Sequence, residues 1–390
     1  QDAIDDASAG DTINVCPGTY TEDLSITTED LALVGLSSSH GPTIEGVATV
    51  PAASFPLADP NIDIQANGVS IHGFTIKSPA VAWDEYSSGI VLTGTDIQIY
   101  ENAFLVGTGD VSQGIQTWAL TSAPAGLRDI SGLSIHDNTF THLAPTTGVG
   151  SYEGIYINPQ SGNFDETDPD DAVTIKDNDF SGKLLRTITT ERSETVIDGN
   201  TMSTDSGTVL GTFPRGIQLQ AGDHHSVTDN TIDDSGAGAF YWGILVRATD
   251  SAIGGSGNEV TGAASHGILL QAGADGNTVA YNDVHDNVGD GILVESDDND
   301  IHNNGVDDNG VNGIEVTGAA TGNTLSHNET SFNTLDGIHV DGNDNDLIGN
   351  NAHHNGQDGI VQHSGGECPT TGPQRNKAKF NLGTDFVGCP

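Results

Sequence analysis

Apolar positions recur along this chain in one word: Gly-Ile, then a variable residue, then a position that is usually apolar. The word begins at Gly89, Gly114, Gly154, Gly216, Gly243, Gly267, Gly291, Gly313, Gly337 and Gly359. From Gly216 onward, successive glycines are separated by 27, 24, 24, 22, 24 and 22 residues. A period in the twenties marks a solenoid, in which each repeat is one coil that buries its apolar face only against its neighbours. The alternation predicts short strands. The Ile and the apolar residue two later point inward, and the residues one and three after the Ile point outward.

A second short strand follows each word and ends in Asn, as at Asn282, Asn328 and Asn350, with Asn102, Asn138, Asn178, Asn200 and Asn230 in the same slot earlier. Asn tolerates left-handed backbone and bonds to its neighbours, so stacked copies are expected to form a structural ladder at one corner of the coil. Coils pairing in parallel lie about 4.8 Å apart. The repeat runs through the chain, so 1–390 is expected to be a single elongated domain despite its length.

Ahead of the repeats, Ala3, Ile4 and Ala7 are spaced as on a short amphipathic helix, which would plug the open end of a solenoid. It is followed by Pro17-Gly18-Thr19-Tyr20-Thr21-Glu22, a turn leading into strand-like Leu24-Ser25-Ile26. The Pro-Gly-Thr-Tyr-x-Glu turn after a short helix, with the repeats behind it, resembles pectin-lyase-like proteins. The resemblance implies an all-β, right-handed parallel β-helix of about a dozen coils with a short N-terminal capping helix. Residues 1–36 would form the cap and first coils, and 364–390 a C-terminal cap. Among relatives of this kind, polysaccharide lyases use Lys or Arg as base with Ca²⁺ neutralising a uronate, and glycoside hydrolases use paired carboxylates. The Asn-Thr-Asp and Arg-Ile-Lys elements of polygalacturonases and the Asp-Pro-His element of alginate epimerases are absent from this sequence. The fold is thereby implied more firmly than an activity.

Composition adds the setting. There are 55 acidic and 11 basic residues, a net charge of -44. Self-repulsion on that scale is screened in molar salt, where the Debye length is about 3 Å. The balance resembles that of proteins from extreme halophiles. It excludes nucleic acid as a partner, since phosphate binding needs Lys and Arg in quantity. No apolar run is long enough for a membrane-spanning helix, so no membrane insertion is expected. The start at Gln1 fits either a processed secreted protein or a piece of a longer chain, and an extracellular or cell-surface location is expected. Cys368 and Cys389 flank the last segment and are expected to form a disulfide, leaving Cys16 as a buried free thiol. Asn328-Glu329-Thr330 is an N-glycosylation sequon.

The outward positions carry the candidate chemistry. One column holds Gln116, Tyr156 and Gln218, and the next Trp118, Asn158, Gln220, Arg247 and Gln271; Tyr152 and Trp242 lie beside them. Amides and aromatic rings on a stacked face suit hydrogen bonding and ring stacking with sugars. Five of the 11 basic residues, Lys183, Arg186, Arg192, Arg215 and Arg247, fall in the same region, either pairing carboxylates or holding an anionic ligand. Glu153, Arg215, Trp242 and His266 each directly precede the Gly of a coil and would align if the coils stack in register. Glu153, Arg215, Arg247 and His266 are the candidate catalytic residues. The intervals Gly114 to Gly154 and Gly154 to Gly216, 40 and 62 residues, place insertions here, and the longer one conceals a degenerate coil near Leu184 to Ile188.

Ca²⁺ is the cofactor that acidic turns would suit, first among them Asp165, Asp168 and Asp170, then Asp297-Asp298-x-Asp300 and Asp341-x-x-Asp344-x-Asp346. The pairs His224-His225 and His353-His354 lack the spacing of zinc sites. Two functions follow. In the first, an extracellular halophilic β-helix binds a polysaccharide or cell-surface glycan along its strand face and cleaves it by lyase or glycoside hydrolase chemistry. In the second, a non-catalytic solenoid serves in adhesion, a surface layer or a filament through self-association. The sequence leaves open whether the protein is an enzyme.

Overall fold

The computed structural model describes residues 1–36, 41–47, 59–77, 86–106, 111–117, 129–142, 151–159, 171–182, 186–203, 213–234, 240–363, 365–370 and 374–389. The chain is an all-β parallel solenoid. Short strands succeed one another through three parallel sheets, so that a strand away from the ends of the chain pairs with the third one before it and the third one after it. Two compact units are present, 1–201 with 209–212, and 202–208 with 213–390.

In the first unit the inward positions stack like on like. Ile71, Ile99, Ile135, Ile175 and Ile197 are register partners in one sheet. Ile62, Ile90, Ile115, Ile155 and Ile188 form the same kind of column in another. In the remaining sheet Phe104, Phe140 and Phe180 stack with ring centroids 4.6 Å apart, all three buried. The coil concealed in the 62-residue interval is the strand Arg186–Thr190, with Ile188 in the Ile slot and Thr187 in place of Gly.

The second unit repeats the plan. Ile217, Ile244, Ile268, Ile292, Ile314, Ile338 and Ile360 line the lumen at 0% exposure. The Gly of the repeated word faces inward as well: a Cβ on Gly267 would lie 2.4 Å from Val284 Cγ1 and 2.8 Å from the Gly291 carbonyl oxygen. Gly and Ile are thus two consecutive inward positions. The residue before Gly therefore points outward, like the residue after Ile, and this backbone irregularity builds the candidate site.

The Asn ladder is present, at more than the one expected corner. In the second unit three ladders stand side by side, through Asn277, Asn299, Asn323 and Asn345, through Asn282, Asn304, Asn328 and Asn350, and through Asn287, Asn309, Asn333 and Asn355. Along each ladder an Asn N–H, the backbone one at Asn277 and the carboxamide one at the others, donates to the carboxamide oxygen of the next coil at 2.8–3.1 Å. The left-handed residue is not the Asn itself, as expected, but the one before it: Asp286, Asn303, His327 and Phe332 have φ of 55, 55, 57 and 56°. That residue turns the corner and aims the following Asn into the wall, where its amide satisfies buried backbone groups.

Several expectations are corrected. The N-terminal helix is a single turn, Asp2–Asp5, with Ile4 its buried residue. Cys16 is exposed, not buried. It follows the strand Thr12–Val15, which lies at the edge of its sheet and pairs only with Ala32–Gly35. Asn328 of the sequon is fully buried, and its amide bonds to the Ile301 carbonyl and to Asn350, so the folded chain cannot present it to a glycosyl donor. The Cys368–Cys389 disulfide is formed as expected. Among the described residues, no helix is long and apolar enough to cross a membrane.

Candidate functional site

In the second unit, the strands Arg215–Leu219, Trp242–Val246 and His266–Leu270 bring together most of the residues expected there. Arg215 pairs in register with Trp242, and Trp242 with His266. Because Gly216 and Ile217 are both inward, Arg215 and Gln218 share the outer face, and Arg215 Nη1 donates to Gln218 Oε1 at 2.8 Å. Gln218 Nε2 in turn donates to Gln220 Oε1. Arg247 closes the row, donating from Nη1 to Gln220 Oε1 at 2.7 Å and from Nε to Gln271 Oε1. Two guanidiniums and three carboxamides are thus joined in one hydrogen-bonded row. Arg215 and Gln218 are nearly buried in this row, and Gln220, Arg247 and Gln271 are half-buried.

An aromatic shelf borders the row. The Arg215 guanidinium carbon lies 5.3 Å from the centroid of the Trp242 ring. Phe213 and Tyr241 pack on Trp242 at 5.4 and 4.8 Å. The Trp242 indole N–H is buried and has no hydrogen-bond partner. Leu245, Leu269 and Leu293, all outward, are nonetheless buried, with Trp242 packed against them. His266 Nδ1 lies 3.1 Å from the Asp290 amide nitrogen and 3.2 Å from its carboxylate, which fixes the ring.

The first unit holds the other group. Glu153, in a column with Gln113 and Arg186, accepts from Gln113 Nε2 at 2.8 Å and from Arg186 Nη1 at 2.5 Å. Its side chain is nearly buried, while Arg186 is about one-third exposed. Tyr156 donates to Glu191 Oε1 at 2.7 Å. Burial first, then that bond, pushes the phenol up and keeps it protonated. Asn158 is buried, with its backbone N–H and its amide both donating to Thr117. Arg192 is buried too; its guanidinium donates twice to the Asp171 carbonyl at 3.1 Å and once to Ser131 at 3.3 Å, so it clamps coils together. Burial lowers its pKa.

Trp118, Lys183, Asp165, Asp168 and Asp170 lie outside the described residues, as does the Tyr152 side chain. Of the other acidic turns, Asp297 accepts from the Thr321 amide and hydroxyl, and Asp346 from the Glu367 amide. Asp341 faces His339 and His363. Phe213, Asp290 and Glu191 were not singled out from sequence. Register would have found Asp290, which stands one coil beyond His266 directly before Gly291.

Residues 213–352 match a family described as right handed beta helix region, and residues 1–158 match one described as a protein of unknown function, DUF1565. No curated protein matches the chain by sequence. Among solved structures, a tailspike protein of E. coli bacteriophage HK620, determined in complex with a pentasaccharide, is similar over 76% of this chain and 59% of its own, at 11% identity and a TM-score of 0.53. A mannuronic acid specific polysaccharide family 6 lyase from human gut microbiota is similar over 88% of this chain and 82% of its own, at 14% identity and a TM-score of 0.50. The A-module of the Azotobacter vinelandii mannuronan C-5 epimerase AlgE4 covers 99% and 93%, at 16% identity and a TM-score of 0.46. At these identities the likeness is one of fold.

Proposed function

We propose that this chain, a right-handed parallel β-helix protein of the pectin-lyase-like kind, binds an acidic polysaccharide outside the cell on the outer face of the strands Arg215–Leu219, Trp242–Val246 and His266–Leu270. The observation that carries this reading is the row Arg215, Gln218, Gln220, Arg247 and Gln271 beside Trp242. A guanidinium oriented by amides, as Arg247 is by Gln220 and Gln271, can receive a uronate or sulfate through charge-assisted hydrogen bonds. Carboxamides can serve sugar hydroxyls, and the half-buried Trp242 indole offers a face for stacking. The surrounding negative charge would otherwise repel an anionic polymer. Binding is therefore favoured in strong salt, where the repulsion reaches only about 3 Å, and a halophilic setting agrees with the composition.

Cleavage is the finer reading. In a lyase step Arg215 or Arg247 neutralises the uronate and His266, oriented by Asp290, moves the proton. The test is retention on immobilised acidic and neutral polysaccharides in about molar salt, comparing the natural chain with Trp242→Ala and Arg247→Gln. Losing one charge-assisted contact, about 1.5–3 kcal/mol, weakens acidic-glycan binding roughly 10- to 150-fold. Equal retention of a folded Arg247→Gln protein refutes the site. The same polysaccharides, assayed for unsaturated products and new reducing ends with and without Ca²⁺, separate an enzyme from a binder. A folded chain that retains no glycan is instead the non-catalytic surface solenoid.

A further inference from the structure

Away from that face, the strands Ile338–Val340 and Ile360–Gln362 carry a second constellation of another chemistry. His339 and Val361 are register partners on adjacent coils, and their outward column continues into Asp341 and His363 two residues on. The Asp341 carboxylate oxygen Oδ1 stands 3.2 Å from His339 Nε2 and 2.6 Å from His363 Nδ1. One ligand atom from each of the three residues falls within a 4.8 Å span. His339 is anchored from behind: its Nδ1 is 2.7 Å from Asp336 Oδ2, and Asp336 Oδ1 accepts the Asp358 amide at 2.8 Å. Asp336 is itself buried, so the carboxylate is fixed at both oxygens.

We propose that His339, Asp341 and His363 form a binding site for a first-row divalent transition metal such as Zn²⁺, with Asp336 positioning His339. Two imidazoles and one carboxylate with a further position open to solvent is a donor set for such ions and not for Ca²⁺, which takes six to eight oxygens. The Asp336 carboxylate on Nδ1 leaves Nε2 as the ligating nitrogen and raises its basicity, the arrangement found behind metal-bound histidines. A tetrahedral ion with bonds of about 2.0–2.1 Å spaces its ligand atoms about 3.3 Å apart. The His339–Asp341 pair already has that spacing. His363 and Asp341, each about half exposed, are the groups that can shift to complete it.

In the metal-free chain a shared carboxylate oxygen draws both imidazoles together through hydrogen bonds, so the cation would replace protons. The carboxylates of Asp336, Asp341 and Glu315 around His339 favour a divalent ion electrostatically. Bound there, the ion joins two successive coils.

The test is titration of the purified chain with Zn²⁺ and with Co²⁺ in about molar NaCl with excess Mg²⁺, which suppresses diffuse binding to the acidic surface. Calorimetry is expected to give one saturable site, and Co²⁺ to give the visible spectrum of a low-coordinate nitrogen and oxygen environment. His363→Ala, a change at an exposed side chain, is expected to abolish that spectrum in a protein of unchanged circular dichroism. Asp336→Asn is expected to weaken binding about 10- to 100-fold. The neighbouring His353→Ala/His354→Ala protein is expected to bind as the natural chain does. No saturable binding, or a Co²⁺ spectrum that survives His363→Ala, overturns the proposal; loss of the spectrum in His353→Ala/His354→Ala relocates the site and overturns it equally.

Discussion

Replacing Asn328 by Ala removes one rung of a ladder, and the cost can be worked out bond by bond. Asn328 is fully buried. Its Oδ1 accepts from the Asn304 backbone N–H at 3.1 Å and from Asn304 Nδ2 at 2.9 Å. Its Nδ2 donates to the Ile301 carbonyl at 2.8 Å and to Asn350 Oδ1 at 3.1 Å. At about 1 kcal/mol net for each of these four bonds, the loss is about 4 kcal/mol. Counting the orphans instead, the Asn304 N–H and the Ile301 carbonyl lose a side-chain partner in a place closed to water, at about 1–3 kcal/mol each. The two routes agree on about 4 kcal/mol, on the order of a thousandfold in the folding equilibrium. Denaturant unfolding in strong salt, followed by circular dichroism, measures the change. Hydrogen exchange at the Asn304 amide gives a local readout that should accelerate by a comparable factor. A loss under about 1 kcal/mol, the ordinary range of surface substitutions, with unchanged exchange at Asn304, would refute the reasoning that the ladder holds the coils.

Three further predictions accompany it, beside the metal titration already described. His225 is buried with Nε2 against the Ala221 carbonyl at 2.9 Å, and burial holds its pKa down to about 4 from 6.5. The unfolded chain takes up that proton below pH 6.5 and the folded chain only near 4, so stability falls as pH drops through this window. The loss is about 3 kcal/mol in total; His225→Gln should remove that share of the pH dependence, and a stability difference between the two proteins that stays flat from pH 7 to 4 would contradict it. Gly267→Ala should cost about 1–3 kcal/mol or more through overpacking, because the added Cβ meets Val284 and the Gly291 carbonyl; an unchanged unfolding midpoint would show that Gly267 does not face the lumen. Arg247→Gln should weaken acidic-glycan retention about 10- to 150-fold while leaving neutral glycans unaffected, as measured on the immobilised polymers.

The sequence by itself determined the fold. A Gly-Ile word returning every 22 to 27 residues has one economical reading, stacked parallel coils with the Ile inside, because each coil is too small to bury its apolar face alone. Local chemistry also exposed the Asn slots, which recur at the same place in successive coils. Only the tertiary structure decided how each rung is turned. The inward Gly next to the inward Ile breaks strict alternation, and this brings Arg215 onto the face of Gln218. It also set the left-handed residue one position ahead of the Asn and gave three ladders where one was expected. The coil carrying Arg186 and Ile188 has Thr187 where the word has Gly, so its register waited on its pairing with Ile155. Likewise His339 and His363, 24 residues apart in sequence, meet over Asp341 only because neighbouring coils lie side by side. Short-range pattern reads which side of a strand a residue takes; which residues of different coils come together depends on register across the stack, and that is fixed by packing between coils and not within them.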